Sequence, residues 1–356
     1  MDKKELEQAI QKTVLKMAMD PKNTDHYHEL AKYYAMDNQY EKVISVYESL
    51  LEIDPKDLQT LLNLGSIFFY TKEYRKAIKR FNEAIIVNPS NHLVYYNLGN
   101  TYAEMKNFSK SLHYYSRALD FNSNDPEIYN SIALLYHDFE DYVESRAYYE
   151  KALSIDPKNV NALVDLANVC YKLFDYDQAL NYYHKVFELA PENKTVALCL
   201  ANTYSVIKDK ENCYKYFEEA LKLEGDNYKA YICYAIAKSE FKDYSEAFKL
   251  YGKAVELNPE EVNAYILQGN LYSNLKLYLE AEKQYKEALK INKLDPSIYI
   301  LLANVYYMHN EIERSIYSYR AAVNLRPEND EYKLIFIQVL EDYIKEYRKD
   351  DLIANF

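Results

Sequence analysis

Tryptophan is absent from the 356-residue sequence, and glycine, proline and cysteine are scarce, with 5, 9 and 4 residues. Because tight turns depend on glycine and proline, these numbers argue against a fold with many loops. The four cysteines lie in apolar segments, and no two of them have the C-x-x-C spacing of a metal or redox site. We therefore expect four reduced thiols that pack as small apolar side chains, and no bound metal or other cofactor.

Long apolar runs are also missing, although 49% of the residues are hydrophobic. The stretch at residues 231–237 is far shorter than the roughly 20 residues that a membrane-spanning helix needs. The first residues of the chain carry acidic side chains where a secretion signal would be continuously apolar. The sequence thus predicts a cytoplasmic protein without a membrane segment. The formal net charge of −12 argues against nucleic acid as a partner, because phosphate binding depends on clustered Lys and Arg.

The sequence does contain a strict internal period. Pro55 and Pro89 lie 34 residues apart, and five further prolines fall at multiples of that spacing: Pro21, Pro157, Pro191, Pro259 and Pro327. With Thr24 as position 1, nine repeats of 34 residues follow without insertion or deletion and end at residue 329. A fixed period of this length indicates stacked repeats rather than separate globular domains.

Side-chain size follows the same period. Position 8 of the repeat holds only glycine or alanine, and positions 20 and 27 are mostly alanine, serine or another small residue. Most of the 41 tyrosines fall at positions 4, 11, 17 and 24. Since small residues let two helices approach closely while large ones fill the adjoining grooves, we interpret the tyrosines mainly as packing residues.

Helix starts are marked by capping residues. Position 34, which precedes each new repeat, is Asn, Asp or Glu throughout, and such side chains accept a free backbone N–H at a helix start. Within each repeat, apolar residues recur at three- and four-residue steps over positions 1–14 and 18–31. The pattern predicts two antiparallel helices per repeat, joined by a short polar turn.

The period, the small residues, the aromatic columns and the terminal proline together closely resemble the tetratricopeptide repeat family. The resemblance covers residues 24–329 and implies an all-α fold, a right-handed superhelical solenoid of antiparallel helix pairs. Residues 1–23 are then expected to form an N-terminal capping half repeat, residues 330–349 a C-terminal capping helix, and residues 350–356 a disordered tail. Position 4 departs from the family, which often has Trp where this chain has Tyr, Leu or Ala197.

No constellation of catalytic residues stands out. The sequence has no glycine-rich phosphate loop, its seven histidines are scattered, and most of its carboxylates fall in turns or on outer faces. We therefore expect no enzymatic activity.

A column of asparagines marks a candidate binding surface. The resemblance implies that the first helices line a concave wall, and asparagine recurs there at positions 6 and 9, as Asn63, Asn97, Asn100, Asn168, Asn202, Asn270 and Asn304. An Asn side chain carries both a donor and an acceptor, so the column can pair with the main chain of an extended peptide. It is similar to the column in the repeat arm of O-linked N-acetylglucosamine transferases. The alternative is that these are polar wall residues that simply face water.

Apolar residues dominate the same wall in the C-terminal half, at positions 5 and 6. The candidates are Leu198, Ile232, Ile266, Ile300 and Leu301. A continuous exposed strip of this kind favours a partner helix or a hydrophobic peptide segment. Alternatively, these side chains turn into the packing between layers.

The sequence therefore predicts a non-catalytic protein–protein interaction scaffold that binds an extended or helical segment of another protein in its concave groove. A first alternative is an assembly subunit of a larger complex, or a homodimer, that docks through its outer or terminal surfaces. A second alternative, an RNA-binding helical repeat, conflicts with the excess of acidic over basic residues on the presumed inner wall.

Overall fold

The computed structural model describes residues 3–223 and 225–354, and every regular element among them is an α-helix. This confirms the predicted all-α fold. The chain divides into two compact units, Met1–Leu189 and Ala190–Phe356. The first unit contains α1 (Lys3–Met19), α2 (Thr24–Met36), α3 (Tyr40–Ile53), α4 (Leu58–Tyr70), α5 (Tyr74–Val87), α6 (His92–Glu104), α7 (Phe108–Phe121), α8 (Pro126–Asp138), α9 (Tyr142–Ile155), α10 (Val160–Lys172) and α11 (Tyr176–Leu189). The second contains α12 (Lys194–Val206), α13 (Lys210–Leu223), α14 (Tyr228–Glu240), α15 (Tyr244–Leu257), α16 (Val262–Asn274), α17 (Tyr278–Ile291), α18 (Pro296–Met308), α19 (Ile312–Leu325) and α20 (Asp330–Ala354).

Each repeat is a helical hairpin. In the first unit, α2 packs on α3, and the same pairing continues up to α10 with α11. In the second unit the pairs run from α12 with α13 to α18 with α19. Consecutive first helices also touch, as α4 with α6 and α6 with α8 in the first unit, and α12 with α14 in the second. The first helices of neighbouring repeats therefore lie side by side within each unit.

The predicted caps are present at the start of each first helix. Asp57 accepts a hydrogen bond from the Thr60 backbone N–H at 2.7 Å, and the residue at position 34 does the same before each other repeat. Three repeats lack the usual proline, at Ser123, Gly225 and Lys293, and after two of them Pro126 and Pro296 occupy the first helical turn. The missing N–H of a proline costs nothing at that place, so these prolines begin the helix without weakening it.

The turn inside each hairpin uses a left-handed residue that is not glycine. Position 15 has a positive φ in all nine repeats, from 55° at Lys106 to 65° at Lys242. The nine residues include lysine, asparagine, glutamate and even phenylalanine, at Phe174. For side chains other than glycine this region costs roughly 1 kcal/mol, so each turn carries a small local strain.

Lys276→Gly is therefore expected to raise the free energy of unfolding by about 0.5–1 kcal/mol, because glycine adopts positive φ without steric cost. Lys276 has a φ of 60° and is exposed in the turn before α17. The control is Lys283→Gly, an exposed position inside α17, which should lower stability by about 1 kcal/mol. Urea unfolding of both variants measures the difference. Two equal losses would show that the turn is not strained.

Small residues at positions 8 and 20 lie where the two helices of a hairpin meet. The Ser111 hydroxyl of α7 donates to the Gly99 carbonyl of α6 at 2.9 Å, so a side chain of one helix directly contacts the backbone of the other. The same bond joins Ser145 to Ala133 and Ser315 to Ala303, at 2.8 and 2.9 Å. These contacts confirm the predicted close packing at both positions.

The end of the chain differs from the sequence prediction. A disordered tail was expected from residue 350, whereas α20 continues to Ala354. The reason is that no glycine or proline follows Pro327, so nothing in the sequence stops the helix. Residues 355 and 356 lie outside the described residues. All four cysteines are reduced thiols, as predicted.

Candidate functional site

Four of the five asparagines at position 9 are hydrogen bonded to the tyrosine at position 24 of the same repeat. The hydroxyl donates to Oδ1 in four repeats: Tyr115 to Asn100 at 2.6 Å, Tyr183 to Asn168 at 2.7 Å, Tyr285 to Asn270 at 2.6 Å, and Tyr319 to Asn304. The tyrosine rings themselves are buried between the helices of the hairpin. Each bond therefore joins the exposed edge of the first helix to a fixed ring of the second.

This pairing fixes the orientation of the amide. Because Oδ1 is engaged, the Nδ2 groups of Asn100, Asn168, Asn270 and Asn304 point away from the ring and donate to no protein atom within the described residues. The first three side chains are partly exposed and the fourth is exposed. From the sequence, each asparagine of the column was expected to offer both a donor and an acceptor, whereas the structure leaves mainly the donor for an external partner.

The remaining asparagines of the predicted column differ from these four. Asn202 faces Phe217 at position 24, which has no hydroxyl, so its amide orientation is not fixed in this way. Asn63 donates to the Tyr47 hydroxyl at 2.9 Å and accepts a bond from the glutamine one turn earlier. Both polar ends of Asn63 are thus used inside the protein. Asn97 is partly exposed on α6.

The predicted apolar column is partly buried throughout. Ile232 packs against the core formed by α14, α15 and α16, while Ile266 and Leu301 pack against the core around Tyr285. Ile300 lies against the cluster of α18, α19 and α20, and Leu198 is also only partly exposed. Packing between layers accounts for this column without a bound partner, which favours the alternative interpretation of these residues.

Two adjoining cavities open along the first helices of repeats 3, 4 and 5. The first, of about 150 Å³, lies between α6 and α8 and is lined by Asn100 and Tyr115 among others. The second, of about 190 Å³, lies between α8 and α10 and includes Asp165. Ser131 and Leu134 border both cavities. We call this surface of α6, α8 and α10 the groove of the first unit.

Position 9 of repeat 4 breaks the asparagine column, and the hydrogen bonding changes there. Leu134 stands at that position and is 52% exposed. The Tyr149 hydroxyl of the same repeat has no asparagine at position 9 to pair with, and Tyr149 instead lines the cavity together with Asp165 of α10. The polar neighbour of this tyrosine therefore comes from the next repeat.

Burial sets the protonation of these groups. Burial raises the pKa of the Asp165 carboxyl above its usual value, although the nearby His137 imidazole and Tyr149 hydroxyl act in the opposite direction. Burial, with the nearby Asp165 charge, raises the pKa of Tyr149, and burial also raises that of Tyr115. Both tyrosines thus stay protonated at neutral pH and act as donors.

Asp165→Asn is expected to raise the free energy of unfolding near neutral pH. Because the folded pKa lies above the unfolded one, wild type is most favoured when Asp165 is protonated, and it loses stability as the pH rises from the unfolded to the folded pKa. The variant cannot ionise, so its stability advantage over wild type should vanish below the ordinary pKa of aspartate, where Asp165 is protonated in both the folded and the unfolded state. Urea unfolding at neutral pH and at a pH below that pKa tests this. Lower stability at neutral pH would show that the carboxylate makes a stabilising contact.

Sequence reasoning missed most of the groove. Asn130, Ser131, Leu134, Tyr149 and Asp165 were not predicted as site residues, yet all line the cavity between α8 and α10. The available signal was the gap in the asparagine column at Leu134, together with a charged residue at position 6 of the next repeat. Both depend on which side chains of neighbouring repeats meet, which the period alone does not give.

The described residues form neither a metal-binding cluster nor a membrane-spanning helix. Among the described residues, no group of three His, Cys, Asp or Glu side chains is placed to hold a metal ion. Across residues 3–223 and 225–354, none of the helices combines the length and apolar character needed to cross a bilayer.

Models of the tetratricopeptide repeat family match several segments of the chain. Models of the tetratricopeptide repeat match residues 92–125, 124–192, 200–227 and 262–293, and a TPR repeat model matches residues 65–106. Together these matches span more than half of the chain. No curated protein matches it.

Similar solved structures support the same fold. A tetratricopeptide repeat protein from Parabacteroides merdae is 15% identical, with a TM-score of 0.55 over 70% of this chain and 99% of that one. Yeast Tom70 is 18% identical, with a TM-score of 0.50 over 99% of this chain and 95% of that one. Pseudomonas aeruginosa pilF is 20% identical, with a TM-score of 0.50 over 62% of this chain and 96% of that one. At these identities the likeness concerns the fold alone.

Proposed function

Because the chain belongs to the tetratricopeptide repeat family, we propose that it is a non-catalytic interaction scaffold that binds an extended segment of another protein. The binding surface in this proposal is the groove of the first unit, with a further run of asparagine donors on the second unit at Asn270 and Asn304. The four cysteines form no disulfide, which suits a reducing compartment such as the cytoplasm.

The observation that carries the proposal is the orientation of the asparagine amides. Asn100 and Asn168 are held by Tyr115 and Tyr183, so their Nδ2 groups are set before any partner arrives. Backbone carbonyl groups of an extended segment are the matching acceptors, and they are present whatever the side chains. Preorganised donors also reduce the ordering cost of binding. The proposal therefore predicts recognition of main chain with limited sequence preference.

Selection of peptides from a random displayed library on the wild-type protein tests this function. We expect extended peptides whose affinity changes little when most side chains are replaced by alanine. Leu134→Trp should block binding of the selected peptides by filling the groove, since Leu134 borders both cavities. The matched control is Val143→Trp on α9, a residue that is 67% exposed and lies outside both cavities. Equal loss in the two variants, or no selected peptide, would contradict the proposal.

An end-to-end assembly subunit is the second candidate, and an apolar face on α20 favours it. Leu334, Ile337 and Ile344 are 67%, 50% and 51% exposed, and their spacing of three and seven residues places them on one side of the helix. Sedimentation at rising protein concentration should then reveal self-association that Ile337→Glu abolishes. A monomer at all concentrations would remove this candidate.

A further inference from the structure

The cavity between α8 and α10 contains a buried acceptor that no protein donor reaches. Asn130 Oδ1 is shielded from solvent and has no hydrogen-bond partner among the described residues. A buried carbonyl oxygen left in this state costs free energy, of the order of 1–3 kcal/mol, and most such atoms in folded proteins are paired. Asn130 lines the cavity, so a donor placed there by a ligand would satisfy it.

The same cavity holds a carboxylate that is not paired with Lys or Arg. Asp165 takes part in no ion pair with Lys or Arg within the described residues; the His137 imidazole is the basic group that acts on it, and the neutral Tyr149 hydroxyl lines the same cavity. Glu127 adds a second carboxylate at the rim. A desolvated carboxylate without a Lys or Arg partner lowers stability, so its presence at a cavity suits a site that receives a positive group on binding.

The shape of the cavity indicates how such a group would enter. Leu134 forms an exposed apolar border, and Asp165 and Asn130 are more deeply placed. Lysine and arginine side chains carry an apolar stem and a charged head, so the stem can lie on a leucine while the head reaches buried acceptors. The volume of about 190 Å³ is sufficient for either head group.

We propose that this cavity, named here the cation pocket, binds the ammonium or guanidinium group of one lysine or arginine side chain of the bound segment. Asp165 supplies the opposite charge, Asn130 Oδ1 accepts one N–H, and Leu134 covers the methylene stem. The inference rests on the proposed function and adds one side-chain preference to an otherwise main-chain recognition. Asn100 and Asn168 set the path of the segment, and the cation pocket sets its register.

The test uses peptides selected on the wild-type protein. We expect a lysine or arginine at one fixed position, and a loss of affinity of at least about tenfold when that residue becomes norleucine, which keeps the stem and removes the charge. Asp165→Asn should cause a similar loss for the basic peptide and none for the norleucine peptide. Peptides that differ only in lysine against arginine at that position identify the preferred head group.

Two further variants make the result specific. Asn130→Leu removes the buried acceptor and should also weaken the basic peptide selectively. Asp120→Asn is the control, because Asp120 is an exposed carboxylate paired with Arg117 on α7, outside both cavities. It should change affinity less than twofold. Because Asp165→Asn is expected to stabilise the fold, thermal unfolding separates lost binding from lost structure.

The outcomes separate the two proposals. If peptides are selected but carry no fixed basic residue, or if Asp165→Asn leaves their affinity unchanged, the cation pocket is wrong and the peptide-binding function stands. If no peptide is selected at all, both are wrong. If double-mutant cycles show coupling of the basic residue to Asp165 but none to Asp120, that result would support the cation pocket directly.

Discussion

Gly99→Val is expected to lower the free energy of unfolding by about 3 kcal/mol, at the upper end of the usual cost of overpacking. A Cβ atom at Gly99 would lie 2.4 Å from Tyr115 Cδ1 and 2.5 Å from Cε1. The Tyr115 ring is only 2% exposed, and its hydroxyl is bonded to Asn100, so the ring has little room to move aside. Valine adds two further methyl groups to this contact. Urea unfolding, with hydrogen exchange of α6 and α7, measures the loss and its location.

The chain offers a matched control for this substitution. Gly252 lies within α15, and a Cβ built there meets no atom within 4 Å. Gly252→Val should therefore be neutral or slightly stabilising, because valine has a better helix propensity than glycine by ~0.3–0.5 kcal/mol. Similar losses at Gly99 and Gly252 would mean that position 8 does not require a small residue for packing.

Asn100→Asp combined with Asn168→Asp should weaken the binding of selected peptides by about 100-fold. Aspartate keeps an oxygen for the hydroxyls of Tyr115 and Tyr183, so the bond to the ring is retained. The substitution removes both Nδ2 donors and places a negative charge opposite peptide carbonyl groups. Two lost hydrogen bonds of about 1–1.5 kcal/mol each amount to roughly two orders of magnitude in affinity. Fluorescence polarisation with labelled peptides measures this change.

Two controls isolate the role of the amides. Asn88→Asp with Asn292→Asp adds the same charge at turn residues whose Oδ1 accepts hydrogen bonds only from the residue two positions later, Ser90 or Leu294, and it should leave binding within about twofold. Tyr115→Phe with Tyr183→Phe leaves the asparagine amides in place but removes the hydrogen bonds that orient them, so peptide affinity should fall by less than about tenfold. The free energy of unfolding should drop by about 1 kcal/mol per lost hydroxyl. A 100-fold loss from the charge control would show that general electrostatics, rather than the two donors, governs binding.

The period predicted most of the fold because it reflects a constraint repeated nine times. Glycine or alanine at position 8 must face a large ring at position 24, as Gly99 faces Tyr115, and the cap at position 34 must begin each first helix. Both rules act between residues close in sequence, so they are visible without coordinates. The positive φ at position 15 was not visible, because residues as different as Lys276 and Phe174 occupy it. The backbone geometry of the hairpin imposes that conformation.

The candidate site was less accessible to sequence reasoning. The asparagine column was recognisable, and in retrospect four of its five position-9 members coincide with a tyrosine at position 24, with Asn202 and Phe217 as the exception. Whether the tyrosine hydroxyl bonds to Oδ1 or to Nδ2 of the amide depends on the geometry of the hairpin. The cation pocket depends on contacts between repeats, such as Tyr149 with Asp165, and on an orphan oxygen at Asn130. Neither is encoded in the composition of a single repeat.

The most direct test of the central claim is a crystal structure of the protein with a selected peptide. The account predicts an extended peptide along α6, α8 and α10, with its carbonyl oxygens about 3 Å from the Nδ2 atoms of Asn100 and Asn168, whose Oδ1 atoms still accept from the tyrosine hydroxyls. A peptide bound outside this groove, or amides rotated so that Oδ1 accepts from the peptide N–H groups, would contradict it.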